Sequence, residues 1–477
     1  MTKTINTSIL ILTLFVTLIF GQVPQNTDID GNWIGTLEFS GIKLRLTFKV
    51  SKTADGYQAK FDSPDQGATD LAVDTVTREG DLVKFEAKKY GFAYEGKLND
   101  KGDELTGTFK QGAAAVPLVL KRVAEVPKLT RPQDPQKPYP YDEEEVSYRN
   151  EKDNVKLAGA LTLPRTPGTH PAVILITGSG AQDRNETIAG HRPFLVLSDH
   201  LTRQGIAVLR VDDRGIGGSD LGSLTATSEN FAEDVLAGIS FLKGRKEINP
   251  KQIGLVGHSE GGMIAPIVAA RSNDVAFIVL LAGMGQRGED VIYTQTELIQ
   301  KAQATDPEVI AGTVDLLKKI NAIVKTQTDA KRLDQLINDE IARHVAGLNE
   351  TQRKAFAPAE STLKGLQPMY KLPWFRYFIT FDPAPVLRKV RVPVLALNGQ
   401  NDLQVEWKQN LELIESALKA GGNKDVTVIS FPKLNHLFQT SQTGSLAEYG
   451  QIEETMSPQV LKTVSDWILK HTTSPTR

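Results

Sequence analysis

Cysteine is absent from all 477 residues. That removes disulfides, thiolate metal sites and cysteine nucleophiles together. Histidine is scarce, with seven residues, so chemistry that needs an imidazole base has few candidates. Neither sign of charge is in excess. The 55 Lys and Arg against 57 Asp and Glu leave a net charge of -2, which gives no electrostatic case for nucleic acid or an anionic membrane surface. There is no H-E-x-x-H pattern, no calcium loop and no P-loop lysine, so no metal and no cofactor is implied. Long hydrophobic runs are missing except for residues 9–20 (ILILTLFVTLIF). That run is too short to span a bilayer comfortably and has the length of a signal-peptide core.

Lys3 ahead of that run and Gly21 after it fit an export signal over residues 1–21. No cysteine comes after it that could carry a lipid anchor. The expected mature protein is exported, periplasmic or secreted by a bacterium, without stable membrane insertion.

Beyond the apolar run the chain is strand-rich. In residues 42–50, Ile42, Leu44, Leu46, Phe48 and Val50 alternate with Lys43, Arg45, Thr47 and Lys49, the period of a strand with one buried face. Similar runs at 82–87, 92–98, 105–109 and 116–120 are separated by turn signals, which predicts a small antiparallel β domain over residues 28–123. Its opening, Gly31-Asn32-Trp33-Ile34-Gly35, resembles the start of lipocalin-like β domains. Residues 124–141 carry Pro127, Pro132, Pro135, Pro138 and Pro140, a density that favours an extended linker.

From residue 142 to 477 the pattern changes. Apolar runs at 155–163, 172–177, 207–211, 253–256, 276–281, 394–397 and 426–429 alternate with helix-period segments. The middle runs are apolar on both faces, as in a doubly wound, mostly parallel sheet. Residues 286–390 are mostly helical, which predicts a cap inserted over the site.

The sharpest motif is Gly257-His258-Ser259-Glu260-Gly261. G-x-S-x-G alone is weak. Here residues 252–256 (QIGLV) lead into it as a strand and 262–270 (GMIAPIVAA) leave it as a helix, the setting of a nucleophile elbow. Serine needs a base to take its proton, and in this chain order the acid and then the histidine come after it. His436 sits in a loop after the run at 426–429, so it is the candidate base. His471 lies near the C-terminus and His344 in the cap. Asp402 follows the run at 394–397 and is the candidate acid, ahead of Asp382, which precedes Pro383 and reads as a turn residue. The oxyanion donors are expected to be the backbone N–H of Glu260 and that of Ser179 in Thr177-Gly178-Ser179-Gly180-Ala181.

Other groups carry two readings. Asp183, Arg184 and Glu186 either line the pocket or form an ion-paired loop, with Asp183 the candidate for substrate binding. Asp212, Asp213 and Arg214 read as a turn held by Arg–carboxylate pairing. His258 reads as structural. Trp374 and Phe375, with Tyr377, Phe378 and Phe381, read as cap core or as a wall of the acyl pocket.

Residues 146–469 resemble α/β-hydrolases of the serine aminopeptidase-like group, which includes bacterial carboxylesterases. The matching pieces are TGSGAQDRNE (177–186), VLRVDDRGIGGSD (208–220), GLVGHSEGGM (254–263), DPAPVLRKVRVPVLALNGQNDLQV (382–405) and KLNHLF (433–438). The resemblance implies a serine hydrolase with Ser259, Asp402 and His436 as its triad. Many relatives open the oxyanion loop with His-Gly where this chain has Thr177-Gly178. The expected substrate is a small carboxylic ester. An aminopeptidase using the same triad, or a non-catalytic envelope-binding protein on a hydrolase scaffold, is the alternative.

Overall fold

The computed structural model describes residues 28–39, 42–64, 68–111, 114–126 and 130–472. The expected export segment of residues 1–21 lies outside them.

The first sheet is built from β1 (Gly31–Phe39), β2 (Ile42–Thr53), β3 (Gly56–Ser63), β4 (Ala68–Val73), β5 (Thr75–Glu79), β6 (Leu82–Ala87), β7 (Phe92–Leu98), β8 (Glu104–Gln111) and β9 (Ala114–Val123). Its nine strands run in the order β4-β3-β2-β1-β9-β8-β7-β6-β5. β5 to β9 pair antiparallel with their sequence neighbours, and β1 closes antiparallel onto β9. The alternating residues place aromatic rings on one side. Phe48 stacks on Phe85 at 4.5 Å between centroids, and Phe61 lies at 4.5 Å from Phe92. Trp33, Phe48 and Phe85 are fully buried there.

The second sheet contains β10 (Asp142–Asn150), β11 (Val155–Leu163), β12 (His170–Ile176), β13 (Ala207–Val211), β14 (Ile248–His258), β15 (Ile278–Leu281), β16 (Val394–Gly399) and β17 (Val426–Phe431). The strand order is β10-β11-β13-β12-β14-β15-β16-β17. β10 and β11 pair antiparallel, as do β11 and β13, and every later pairing is parallel. This is an α/β-hydrolase fold.

Successive side chains of a strand point to opposite faces, and both faces of this sheet are covered. Ile174, Leu209, Leu255, Leu280 and Ala396 enter one core. Their neighbours Val173, Val208, Val256, Val279 and Leu395 enter the other. α1 (Pro193–Arg203) and α11 (Pro458–Thr472) cover the second face through Phe194, Leu201, Val464 and Trp467. α2 (Ser228–Lys243), α3 (Gly261–Ala269) and α10 (Trp407–Ala420) contribute to the first core.

Between β15 and β16 the chain leaves the sheet for a helical cap. Its helices are α4 (Gly288–Ala302), α5 (Pro307–Thr326), α6 (Ala330–Ala346), α7 (Glu350–Gly365), α8 (Gln367–Tyr370) and α9 (Pro373–Thr380). Leu316, Ile320, Ile337, Phe356 and Phe375 from the cap belong to the same apolar cluster as the first face of the sheet.

Tyr141 and the segment leading to it are not a free extended connector. Arg131 donates to the carbonyl oxygens of Gly190, Ala189, Ile452 and Gly450. Gln133 bonds the Met456 carbonyl and accepts from the Thr455 N–H. Proline removes backbone donors from the segment, and side chains fasten it to the hydrolase unit instead.

Candidate active site

β14 ends at His258 and α3 begins at Gly261, which leaves two residues to reverse the chain. Ser259 takes up the turn with φ = 52°, in the left-handed region that a non-glycine residue rarely adopts. Its N–H is held by the Leu281 carbonyl at 2.8 Å, and its own carbonyl accepts from the Gly262 N–H at 2.9 Å. The flanking glycines are required by contact. A Cβ on Gly257 would lie 2.0 Å from the Gly261 carbonyl oxygen, and one on Gly261 would lie 2.1 Å from the Ile176 carbonyl oxygen.

The C-terminal ends of β16 and β17 deliver the next two side chains. His436 Nδ1 is 2.7 Å from Asp402 Oδ2, and both residues are buried. The other carboxylate oxygen of Asp402 accepts from the N–H groups of Gln404 and Val405, at 2.7 and 2.9 Å. Asp402 is therefore fixed in direction before it orients the imidazole. The rival acid, Asp382, accepts the Ala384 N–H and faces Arg287, as a turn residue does. Ser259 and His436 line the same cavity, of about 1000 Å³. No hydrogen bond joins the Ser259 hydroxyl to His436 among those of the described residues. Such bonds are often long without substrate and tighten in the complex.

The loop after β12 lies directly over the nucleophile: a Cβ on Gly178 would be 3.3 Å from Ser259 Cβ. The Gly178 N–H is occupied by Glu186 Oε1 at 2.8 Å. The N–H groups of Ser179 and Glu260 have no protein acceptor among the described residues. Asp213 ties down both ends of the loop. It accepts from Thr177 Oγ1 and the Gln182 N–H, each at 2.9 Å.

A second cavity, of about 510 Å³, opens on the same loop and shares Ser179, Met369 and Trp374 with the first. Trp374 Nε1 donates to Glu260 Oε1 at 2.8 Å, and Ser228 Oγ meets the same oxygen at 2.6 Å. Burial pushes the Glu260 carboxyl above its usual range, against these two bonds and a third from the Ser179 side chain. Phe375 lines the larger cavity. Of the candidate substrate contacts, Trp374 and Phe375 are thus brought to the site.

Asp183 is not. Its carboxylate closes a turn on the N–H of Asn185 and on the N–H and hydroxyl of Thr187, and it lines neither cavity. Arg184 pairs with Asp212 at 2.8 Å, and Arg214 pairs with Asp234 and Asp153 at 2.6 Å. This motif is an ion-paired turn.

One buried pair escapes the sequence. His258 Nδ1 is 2.8 Å from Glu186 Oε1, and His258 Nε2 is 3.0 Å from the His436 carbonyl oxygen. The partners are 72 positions apart, so no local pattern signals the contact. Burial alone would push the His258 pKa down. The charge and hydrogen bond of Glu186, helped by the His436 carbonyl and the Asp402 charge, outweigh it and the net shift is upward.

Residues 153–433 match the family of X-Pro dipeptidyl-peptidase (S15 family). Esterase EstD of Thermotoga maritima is 27% identical over 316 residues, covering 66% of this chain and 66% of the relative, just under two thirds of its length. Among solved structures, the α/β hydrolase GrgF from Penicillium sp. sh18 superposes with a TM-score of 0.42 at 17% identity, over 70% of this chain and 100% of that one. The Pyrococcus furiosus esterase Pf2001 gives a TM-score of 0.40 at 16% identity, over 69% of this chain and 92% of that one.

Proposed function

The chain belongs to the X-Pro dipeptidyl-peptidase (S15) family of serine hydrolases, and within it we propose an exported carboxylic ester hydrolase that works through an acyl-enzyme. The observation that carries the reading is the buried Asp402–His436 pair at 2.7 Å, on the cavity that Ser259 enters from its strained turn.

In this reading His436 takes the proton of Ser259 as Oγ attacks the ester carbonyl. Asp402 holds the Nδ1–H and stabilises the imidazolium. The N–H groups of Ser179 and Glu260 receive the oxyanion. Gly178 cannot share this task, because Glu186 already accepts its N–H. His436 then protonates the departing alcohol, and the cycle repeats with water. The ester preference is supported by the name of the Thermotoga maritima relative. A cavity of about 1000 Å³ leaves room for an acyl group larger than that of a short ester.

The second reading, a peptidase that removes N-terminal residues, is favoured by the family name and by Glu260. That carboxyl lines the second cavity and has no cationic partner among the described residues.

The test is turnover of p-nitrophenyl esters of increasing acyl length beside an aminoacyl-p-nitroanilide, with wild type and Ser259→Ala. The expected result is ester turnover that falls by up to about a millionfold in the variant. Preferential anilide turnover moves the enzyme to the peptidases. No serine-dependent turnover of either leaves a binding protein on a hydrolase scaffold.

A further inference from the structure

His258 has two ring nitrogens and two partners that only accept. The Glu186 carboxylate lies at 2.8 Å from Nδ1 and the His436 carbonyl at 3.0 Å from Nε2. Each nitrogen must therefore donate, and an imidazole that donates twice is an imidazolium. Glu186 Oε1 is also the acceptor of the Gly178 N–H at 2.8 Å. One buried carboxylate thus fixes Gly178 of the oxyanion loop and a cation of the elbow, and that cation fixes the backbone of the base loop. Glu186 is 1% exposed and His258 is 4% exposed. Glu186 adopts this position with φ = 53°, a left-handed backbone in a non-glycine residue. Strain of that kind persists only where the surroundings enforce it.

We propose that Glu186 and a protonated His258 are positioning residues that lock the oxyanion loop, the nucleophile elbow and the base loop into one geometry, so that turnover depends on the charge of this pair. The inference rests on the Ser259–His436–Asp402 reading. Neither residue touches the reacting atoms. They act through Gly178, Ser259 and the His436 carbonyl. The titratable groups around the pair are Asp402 and the His436 ring, whose centroid lies 4.7 Å from that of His258. Glu260 adjoins Ser259 in the elbow, and Asp213 feels the charges of both Glu186 and Glu260. The negative groups around His258 all favour its protonated form. Loss of the His258 proton breaks one of its two bonds and releases one loop from the other.

The test is kcat and KM from pH 5 to 10 on one p-nitrophenyl ester for wild type, Glu186→Gln and Glu186→Asp, with Ser259→Ala as the control. Glu186→Gln is expected to lower kcat about 100-fold, the effect of misplacing one oxyanion donor, with KM within about threefold of wild type. Its alkaline limb should descend into the neutral range, because His258 loses the charge that holds its proton. Glu186→Asp should restore part of kcat and move the limb back up. A folded Glu186→Gln enzyme with wild-type kcat and wild-type limbs overturns the proposal, as does one that loses thermal stability alone. Turnover that survives Ser259→Ala overturns the triad reading, and the lock falls with it. If Glu186→Gln does not fold, ¹⁵N NMR of the wild-type histidines decides. Both His258 nitrogens protonated at pH 7 supports the lock, and one bare nitrogen at pH 7 overturns it.

Discussion

A side chain at position 257 would lie 2.0 Å from the Gly261 carbonyl oxygen, closer than any real Cβ contact, and backbone atoms cannot move aside as a flexible side chain can. Gly257→Ala is therefore expected to cost about 3 kcal/mol or more. Thermal denaturation checks it, and a melting point near wild type would contradict the elbow geometry. Asp402 makes a different prediction because its role is orientation. Asp402→Asn keeps the shape and loses the acceptor that fixes the His436 tautomer, so kcat should fall by about 10⁴ with the fold intact. Steady-state kinetics beside circular dichroism separates these two effects, and a folded variant within tenfold of wild type would argue for another acid. These residues were legible in the sequence because each follows a strand in a fixed chain order. Asp183 and Glu186 were not separable there. Both are acidic and three positions apart, and only the fold shows that one closes a turn while the other reaches His258.

The oxyanion loop is held at both ends by one carboxyl, Asp213, and at Gly178 by another, Glu186. Burial pushes Asp213 up to about 7, against the bonds from Gln182 and Thr177, and the charges of Glu186 and Glu260 add to the rise. A carboxyl raised above its unfolded value of 3.8 stabilises the fold while protonated. That contribution, at most about 4 kcal/mol, is fully present below the unfolded value and lost as pH rises to about 7. Asp213→Asn should therefore lose less stability than wild type between pH 5 and pH 8, read by thermal melts at both. Parallel melting curves would count against it. In the cap, Trp374 stands between the two cavities and is held by Glu260. Trp374→Ala should join them and shift preference toward longer acyl chains in a p-nitrophenyl series, and an unchanged preference in a folded variant would remove Trp374 from the pocket wall. At this scale the sequence was uneven. The run at 155–163 coincides with β11, whose inward side is continuously apolar. β10 was missed because it is an edge strand of half-exposed residues, and Asp142, Glu143, Glu144 and Glu145 hide its alternation.

Across the whole molecule, the hydrolase unit gathers its chemistry at the C-terminal ends of β12, β14, β16 and β17, where open α/β sheets place their ligands. Its N-terminal limit lies before residue 142. A fragment starting at residue 130 keeps the bonds of Arg131 and Gln133, whereas one starting at 142 loses them. The longer fragment is expected to melt several degrees higher, and equal melting points would contradict a structural role for the proline-rich segment. Proline density suggested a linker there, and no local pattern could reveal that an arginine and a glutamine would anchor it to loops more than 300 positions away. The central claim, an acyl-enzyme on Ser259, is tested most directly by labelling the full-length protein with a fluorophosphonate and mapping the adduct by mass spectrometry. The account predicts one adduct, on Ser259, with ester hydrolysis lost in proportion to labelling. An adduct elsewhere, or hydrolysis that survives complete labelling of Ser259, would contradict it.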